Sequence, residues 1–339
     1  KTADFRFSRF PFDVADVGSV APIGEFAGIN RQNAANSHFY GNMRHYVFSK
    51  EPGKKEYNVY APADGEIVAF RNSEMTKQFR FNFRINDKAF FYLDHIQTLS
   101  DEILKKLEPE FGNPPKFTQA VDMVNTPIKV KAGEILGKTG LKGIAWDWGV
   151  IDSEYCQDML KPENYMQDPC PRSVYDFFTD EMKTQIAPLA GYWAAPPEGF
   201  GLKPVKTTPI LGQYAHDKKG TASGGFFQKY KSWENVFIVP DSYEPNALQI
   251  RLAIPDLTVF GVWNAIPVGT GKNNPDPKTV TKDSGIVTYT LEKGKARDNT
   301  EYGVLLLQVI DDQSIKVETI ANSTTVPASP AFTDKAVNL

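Results

Sequence analysis

The sequence predicts a mainly β protein made of two β-rich domains. It contains 24 prolines and 25 glycines among 339 residues, 12% of its residues are aromatic, and several segments alternate between apolar and polar side chains. Frequent turn-forming residues favour many short strands, and alternation with a period of two is typical of a strand with one buried face. With 41% hydrophobic residues, the chain has enough apolar surface to form a sizeable core.

Charge and hydropathy exclude two kinds of protein. Lys and Arg number 38 against 41 Asp and Glu, which gives a net charge of −3. That balance argues against a nucleic-acid-binding protein that works by bulk neutralisation of phosphates. No stretch approaches the roughly 18 apolar residues of a transmembrane helix, so no membrane span is expected.

The first predicted element is an extended N-terminal arm over residues 1–30, which leads into a first domain over residues 20–190. The arm carries four phenylalanines that would pack onto a following sheet: Phe5, Phe7, Phe10 and Phe12. Alternating segments between residues 57 and 151 predict that sheet. One hairpin, over residues 79–93, has Arg and Asn residues that form its solvent-facing side.

Two helical segments belong to the first domain. An insertion over about residues 97–115 contains a short helix, with Ser100 as its N-cap and two acidic residues in the first turn. An extension over about residues 152–188 has its best helix candidate between Ser173 and Ile186.

The second domain, over residues 191–339, is predicted to be a small β-barrel or β-sandwich. A stretch rich in Ala and Pro at residues 194–199 is typical of a linker, and the domain boundary is placed near it. Strands are expected at about residues 236–239, 248–254, 285–291, 304–310 and 314–319.

The chain has two cysteines, Cys156 and Cys170. They form either one disulfide, which would suit an oxidising compartment, or two separate buried thiols. Their number and spacing fit no four-ligand zinc knuckle. The chain opens without an initiating Met, as a processed secreted protein would. An extracytoplasmic location (secreted, periplasmic or surface) is therefore expected.

Four segments of the first domain carry a family resemblance. They are residues 60–68 (YAPADGEIV), 92–96 (YLDHI), 130–140 (VKAGEILGKTG) and 145–150 (AWDWGV). In this order, over about residues 20–151, they resemble the lysostaphin-type zinc peptidases, the peptidase M23 or LytM-like family. The resemblance implies a narrow groove over an antiparallel sheet, in which a zinc ion is held by His, Asp and His.

The sequence departs from the family pattern at the end of the fourth segment, where two registers fit. In one register Trp146 and Trp148 replace both His residues of the family's HxH motif. In the other they take apolar places, and Asp147 stands where the metal-binding His would be. We favour the second register, because residues i and i+2 of a strand share a face. Both tryptophans would then lie in the core, and Asp147 would project into the groove.

The resemblance then implies a metal site with permuted ligands. The family's HxxxD motif is absent, and His38 and His45 stand in its place, although a bulged loop is needed for both to reach one ion. With Asp147 they supply two imidazoles and one carboxylate, a set that suits catalytic zinc. His95 falls on another catalytic His of the family and would activate a metal-bound water, whereas Ala145 replaces the second catalytic His.

Two hypotheses about function follow. The first is an extracytoplasmic protein whose peptidase-derived groove binds, and with zinc hydrolyses, a cell-wall-type peptide that contains glycine or D-amino acids. The second is a catalytically inactive relative, without a cofactor, that serves as a binding, regulatory or structural surface protein. In both, the expected partner is a peptide or peptidoglycan-like ligand and not a nucleic acid.

Overall fold

A computed structural model describes residues 4–24, 43–51, 53–141, 145–164, 170–194, 201–229, 234–293 and 301–339. The fold is mainly β, with 41% strand and 14% helix, which confirms the predicted fold class. The chain divides into two compact units. The first consists of Lys1–Ile23, Arg44–Glu154 and Cys170–Leu211, and the second of Gly24–Met43, Tyr155–Pro169 and Gly212–Leu339.

The boundary between the units differs from the predicted boundary near residue 191, since residues up to Leu211 stay with the first unit. Backbone hydrogen bonds account for the difference. The Val205 N–H donates to the Ala190 carbonyl at 3.0 Å, and the Ile23 N–H donates to the Leu211 carbonyl at 2.9 Å. These bonds attach the segment that ends at Leu211 to the first unit. A linker at residues 194–199 would instead have placed this segment in the second domain.

The first unit contains an eight-stranded antiparallel sheet, a three-stranded sheet and a two-stranded sheet among its described residues. In chain order the strands are β1 (Val17–Val20), β2 (His45–Ser49), β3 (Tyr57–Tyr60), β4 (Gly65–Asn72), β5 (Phe79–Arg84), β6 (Ala89–Ile96), β7 (Thr98–Leu99), β8 (Asp122–Val130), β9 (Ile135–Thr139), β10 (Ala145–Asp152), β11 (Pro171–Arg172), β12 (Gly191–Ala194) and β13 (Gly201–Pro204). The large sheet has the order β1-β2-β10-β6-β5-β4-β8, with β11 paired to β10. The smaller sheets are β3-β9-β7 and β12-β13.

The two α-helices of this unit begin at hydroxyl N-caps. Helix α1 (Asp101–Phe111) starts after Ser100, whose side chain accepts from the Ile103 N–H, as the sequence predicts. The helix expected between residues 173 and 186 is interrupted: a 3₁₀ turn covers Val174–Phe177, and α2 (Asp180–Ile186) follows. Phe178 separates them because it is extended and bridges to Phe7. No helix in the described ranges is long and apolar enough to cross a membrane.

The aromatic arm covers one face of β10. Phe7, Phe10 and Phe12 are buried, with 0%, 3% and 5% of their surface exposed. The Phe7 ring centroid lies 4.7 Å from that of Trp148, and Phe12 stacks on Trp146 at 3.7 Å. Both tryptophans belong to the hydrophobic core, so they share the buried face, as the favoured register predicts. Asp147 lies between them and projects to the other face.

The second unit is a β-sandwich. Its described strands are β14 (Gly224–Phe227), β15 (Asn235–Pro240), β16 (Ala247–Leu252), β17 (Gly261–Pro267), β18 (Val287–Leu291), β19 (Gly303–Val309), β20 (Ile315–Ala321) and β21 (Val337–Asn338). They form two four-stranded antiparallel sheets, β14-β15-β16-β17 and β18-β19-β20-β21. Both sheets contribute to one core, which includes Trp263 from the first and Tyr289 from the second. The described strands close no barrel.

Candidate functional site

The candidate site lies on the face of the large sheet that is opposite to the aromatic core. Asp147 on β10 pairs with Tyr46 on β2 and with Asp94 on β6, so these three side chains share that face. We call it the polar face. Asp147 and Asp94 are both only 2% exposed. Two buried carboxylates on adjacent strands require compensating charge, because an unpaired buried charge is strongly destabilising.

A β-bulge brings His95 to the same face as its neighbour Asp94. In a regular strand adjacent residues point to opposite faces. Between the pairs Phe79–Ile96 and Phe81–Leu93, β6 has one residue more than β5. His95 absorbs the irregularity in a left-handed conformation, with φ of 69°. An extra residue of this kind re-aims a side chain, which is a frequent arrangement beside functional sites.

Asp147 accepts two charged hydrogen bonds through one oxygen. Its Oδ2 atom lies 2.8 Å from Arg44 Nη1 and 3.2 Å from His95 Nε2. Burial by itself would raise the pKa of Asp147, but the charge of Arg44 and the hydrogen bond from His95 outweigh burial and lower it. Asp147 is therefore ionised at neutral pH.

Asp94 is held by two further arginines. Arg71 Nη2 lies 2.8 Å and 2.6 Å from the two Asp94 oxygens, and Arg80 Nη1 lies 3.9 Å from Oδ2. Arg71 on β4 and Arg80 on β5 are direct cross-strand partners. Like charges at such a position repel, and the carboxylate beside them compensates for the repulsion.

Both ring nitrogens of His95 face oxygen acceptors. Nδ1 lies 2.6 Å from Gln78 Oε1, and Nε2 lies 3.2 Å from Asp147 Oδ2. Burial acts to lower the pKa of His95, but the hydrogen bond to Asp147 and the charges of Asp147 and Asp94 raise it overall. The environment therefore favours the imidazolium form, which donates from both nitrogens. We call Arg44, Arg71, Arg80, Asp94, His95 and Asp147 the polar cluster.

Of the three predicted site residues that the structure describes, it brings two together. His95 and Asp147 are in contact, whereas His45 lies on the opposite face of β2, fully buried. Its Nδ1 lies 2.8 Å from the Ala21 carbonyl oxygen, and its Nε2 accepts from the Val174 N–H at 3.2 Å. His45 therefore does not fit the expected role as a ligand beside Asp147, because the strand turns it toward the core. His38 lies outside the described residues.

The two cysteines are disulfide-bonded. Neither Cys156 nor Cys170 is free in the structure. Of the two alternatives that the sequence leaves open, the structure contains the bonded one. The bond closes a short loop within the extension that follows β10.

The environment of His45 predicts a pH dependence of stability. Burial lowers the pKa of His45 to about 4, although its hydrogen bond to Ala21 acts in the opposite direction. Between pH 6.5 and pH 4 the unfolded chain thus binds a proton that the folded chain excludes. The free energy of unfolding is expected to fall with decreasing pH across this window, by about 1.4 kcal/mol per pH unit from this group.

Denaturant unfolding at a series of pH values between 4 and 7 checks this dependence. His45→Gln removes the titrating group and should flatten the slope by the contribution of His45. His216, whose pKa burial also lowers to about 4, serves as the matched reference, since it should keep its own contribution in that variant. An unchanged slope in His45→Gln would contradict the prediction.

Asp94, His95 and Asp147 are close enough to be considered as ligands of a metal ion, since their donor atoms all lie within 4.8 Å of one another. Those atoms are already engaged. Both Asp94 oxygens bind Arg71, Asp147 Oδ2 binds Arg44, and both His95 nitrogens face acceptors. In this group only Asp147 Oδ1 has no partner among the described residues. Catalytic zinc takes three protein ligands, so a zinc ion bound by this group would have to replace these contacts.

No motif or spacing in the sequence singles out the three arginines of the site. The alternation of β5 does place Arg80 on the face opposite to the core. Arg71 on β4 lies on the same face, because it is the cross-strand partner of Arg80. Which carboxylates these side chains meet depends on strand order and on the bulge at His95, and neither can be derived from local patterns. One observation could have pointed to them: arginines lie on predicted strands of a chain whose net charge is negative.

No protein-family model matches this sequence, and no curated protein matches it. Among solved structures, the chain is similar to Helicobacter pylori Csd3 (13% identity, TM-score 0.28), to the SpoIIQ–SpoIIIAH pore-forming complex (14%, 0.29) and to a variant of the catalytic domain of EnpA, a prophage-encoded M23 protein from Enterococcus faecalis (13%, 0.25). Each match covers 44% of this chain, and 32%, 85% and 88% of the other chain, respectively. The chain thus spans about a third of the length of Csd3.

Proposed function

We propose that the first unit is a metal-independent binding module, whose polar face binds a cell-wall-type peptide without hydrolysing it. One observation carries this proposal. The carboxylates that would hold a zinc ion are paired with Arg44 and Arg71 instead, and His95 directs both ring nitrogens at oxygen acceptors.

The same contacts argue against hydrolysis. Peptide hydrolysis needs an activated water and a group that accepts its proton. Both ring nitrogens of His95 are directed at oxygen atoms of the protein, Gln78 Oε1 and Asp147 Oδ2, and not at an open position for a water molecule. Ala145, on the same face of β10 as Asp147, adds no polar side chain to the site. Activation of a water would first require the ion pairs on Asp94 and Asp147 to break.

The polar face also carries features that suit a peptide ligand. Tyr46 and Phe48 on β2, and Phe90 and Tyr92 on β6, lie on this face, with ring centroids 6.5 Å apart within each pair. Tyr46, Phe48 and Phe90 are partly exposed. Aromatic rings beside charged donors offer apolar contact together with hydrogen bonds to carbonyl or carboxylate oxygens. An extracytoplasmic location agrees with the disulfide, since such bonds persist in oxidising compartments.

The proposal is tested by sedimentation of the purified full chain with peptidoglycan, with and without a metal chelator. We expect the chain to sediment with peptidoglycan equally in both conditions, to contain far less than one zinc ion per molecule, and to release no soluble fragments. Absence of binding would refute the binding function. Binding that a chelator abolishes, or release of fragments that requires zinc, would refute metal independence and support the peptidase hypothesis.

A further inference from the structure

We infer that the polar cluster recognises a carboxylate group of its ligand, such as the C-terminus of a peptide. This inference rests on the proposed function, because it names the chemical group that the same site binds. Three observations support it: the cluster has more cationic than anionic groups, the cationic groups are more exposed than the anionic groups, and Arg71 has a donor that Asp94 does not use.

The cluster carries an excess of positive charge. Three guanidinium groups face two carboxylates, Asp94 and Asp147, and the ring of His95 adds a further donor. The chain as a whole has a net charge of −3, so this excess is a local property of the polar face. A single anionic group placed on the cluster would reduce the repulsion among these cations.

The charges are arranged in layers. The side chains of Asp94 and Asp147 are 3% and 2% exposed, whereas those of Arg71 and His95 are 27% and 31% exposed. Arg44 and Arg80 are intermediate, at 17% and 12%. The acidic groups thus lie beneath the cationic groups, and the surface that a ligand meets is cationic. Partial burial also reduces solvent screening of the contact.

Arg71 has donors that its partner does not use. Both of its hydrogen bonds to Asp94 come from Nη2. Its Nε atom is buried and has no partner among the described residues, and Nη1 donates to none of the side chains or carbonyls described here. Since Nη2 holds Asp94 and Nε is buried, Nη1 is the group through which a partly exposed Arg71 can donate to a second carboxylate.

The size of the site favours a carboxylate over a polyanion. The cluster is compact, and aromatic residues flank it on β2 and β6. A nucleic acid would require an extended basic surface to follow its phosphates. A terminal or side-chain carboxylate of a peptide needs only a few donors in one place, with the aromatic rings beside it for the rest of the chain.

The test uses the full chain and one defined ligand in two forms. Isothermal titration calorimetry compares the peptidoglycan stem pentapeptide as the free acid with the same peptide whose carboxyl groups are all amidated. We expect the amidated peptide to bind at least about tenfold more weakly, and the affinity of the free acid to decrease as salt is raised.

Variants of Arg71 locate the contact. Arg71→Lys keeps the charge beside Asp94 but loses the planar fork, and Arg71→Gln loses both; the preference for the free acid should shrink in the first variant and disappear in the second. Arg9→Gln is the matched control, because Arg9 pairs with Asp13 on the arm that covers the opposite face. Circular dichroism and thermal unfolding verify that each variant is folded.

Three results would contradict the inference, and a fourth would contradict the proposed function. Equal affinity for both peptide forms would overturn carboxylate recognition. A preference that survives in folded Arg71→Lys and Arg71→Gln would overturn the assignment of the contact to Arg71. Both results would leave the proposed function standing. If inorganic phosphate displaced the free-acid peptide as effectively as a second carboxylate ligand does, the site would be a general anion-binding site and carboxylate recognition would be overturned. Failure of both peptides and of peptidoglycan to bind would instead contradict the proposed function itself.

Discussion

Replacing Asp147 with alanine is expected to lower the free energy of unfolding by about 3 kcal/mol at pH 7. The carboxylate is 2% exposed and neutralises two cations, Arg44 at 2.8 Å and His95 at 3.2 Å. Its removal leaves Arg44 and His95 close together and partly buried, without the carboxylate that both of them contact. Breaking a buried ion pair from one side costs about 3–5 kcal/mol, and the partial exposure of both partners places this case at the lower end.

Denaturant unfolding of the full chain measures this loss, and a metal chelator distinguishes its causes. If the polar cluster is held by its own arginines, the effect of Asp147→Ala is the same with and without the chelator. If Asp147 were a zinc ligand, the chelator would destabilise the unsubstituted chain and remove most of the difference.

The matched control for this variant is Asp176→Ala. Asp176 also pairs with an arginine, Arg172 at 3.2 Å, but its side chain is 41% exposed. Exposed pairs contribute less than about 1 kcal/mol, so this variant should be nearly neutral. Equal effects of the two substitutions would show that burial of Asp147 is not what makes its ion pairs important.

Truncation of Trp148 to alanine is expected to destabilise the first unit by about 3–5 kcal/mol, since a fully buried tryptophan leaves a large cavity. Trp148 is 0% exposed, and its ring lies 4.7 Å from Phe7, 5.3 Å from Phe10 and 5.5 Å from Phe178. The loss would also weaken the attachment of the arm to the sheet, because two of these contacts belong to the arm.

This substitution discriminates between the two registers that the sequence allows for β10. A Trp148 that replaced a ligand histidine on the polar face would lie near solvent, and its truncation would be almost neutral. Trp148→Phe is the control. The indole N–H of Trp148 has no partner among the described residues, so replacement by another aromatic ring loses little beyond volume. It should cost less than about 1.5 kcal/mol. A neutral Trp148→Ala, measured by the same denaturant unfolding, would contradict the core placement.

Much of the architecture is readable from local patterns. The strict alternation around Phe81 and Phe83 predicts a half-buried strand, and Ser100 with its acidic neighbours predicts the start of α1, as the structure confirms. Alternation also orients β10, because a strand that buries Trp146 and Trp148 must turn Asp147 to the other face. These features depend on residues close in the chain, so the sequence alone predicts them.

The composition of the site could not be obtained in this way. The sequence pairs Asp147 with His38 and His45, whereas the structure surrounds it with Arg44, His95 and Asp94. The placement of His45 follows from one register: its neighbour Tyr46 pairs with Asp147, so His45 must face the core. Pairing register between distant strands is a long-range property that spacing in a motif does not reveal.

The sequence by itself therefore determined the β class, the orientation of β10 and the presence of His95 and Asp147 at one site. Only the tertiary structure decided which charges meet there. A one-residue bulge at His95 and the cross-strand pairing of Arg71 with Arg80 place cations on both carboxylates. The physical reason is that a buried charge must be compensated by whatever side chain the fold brings within hydrogen-bond distance, and that partner is chosen by strand order and register.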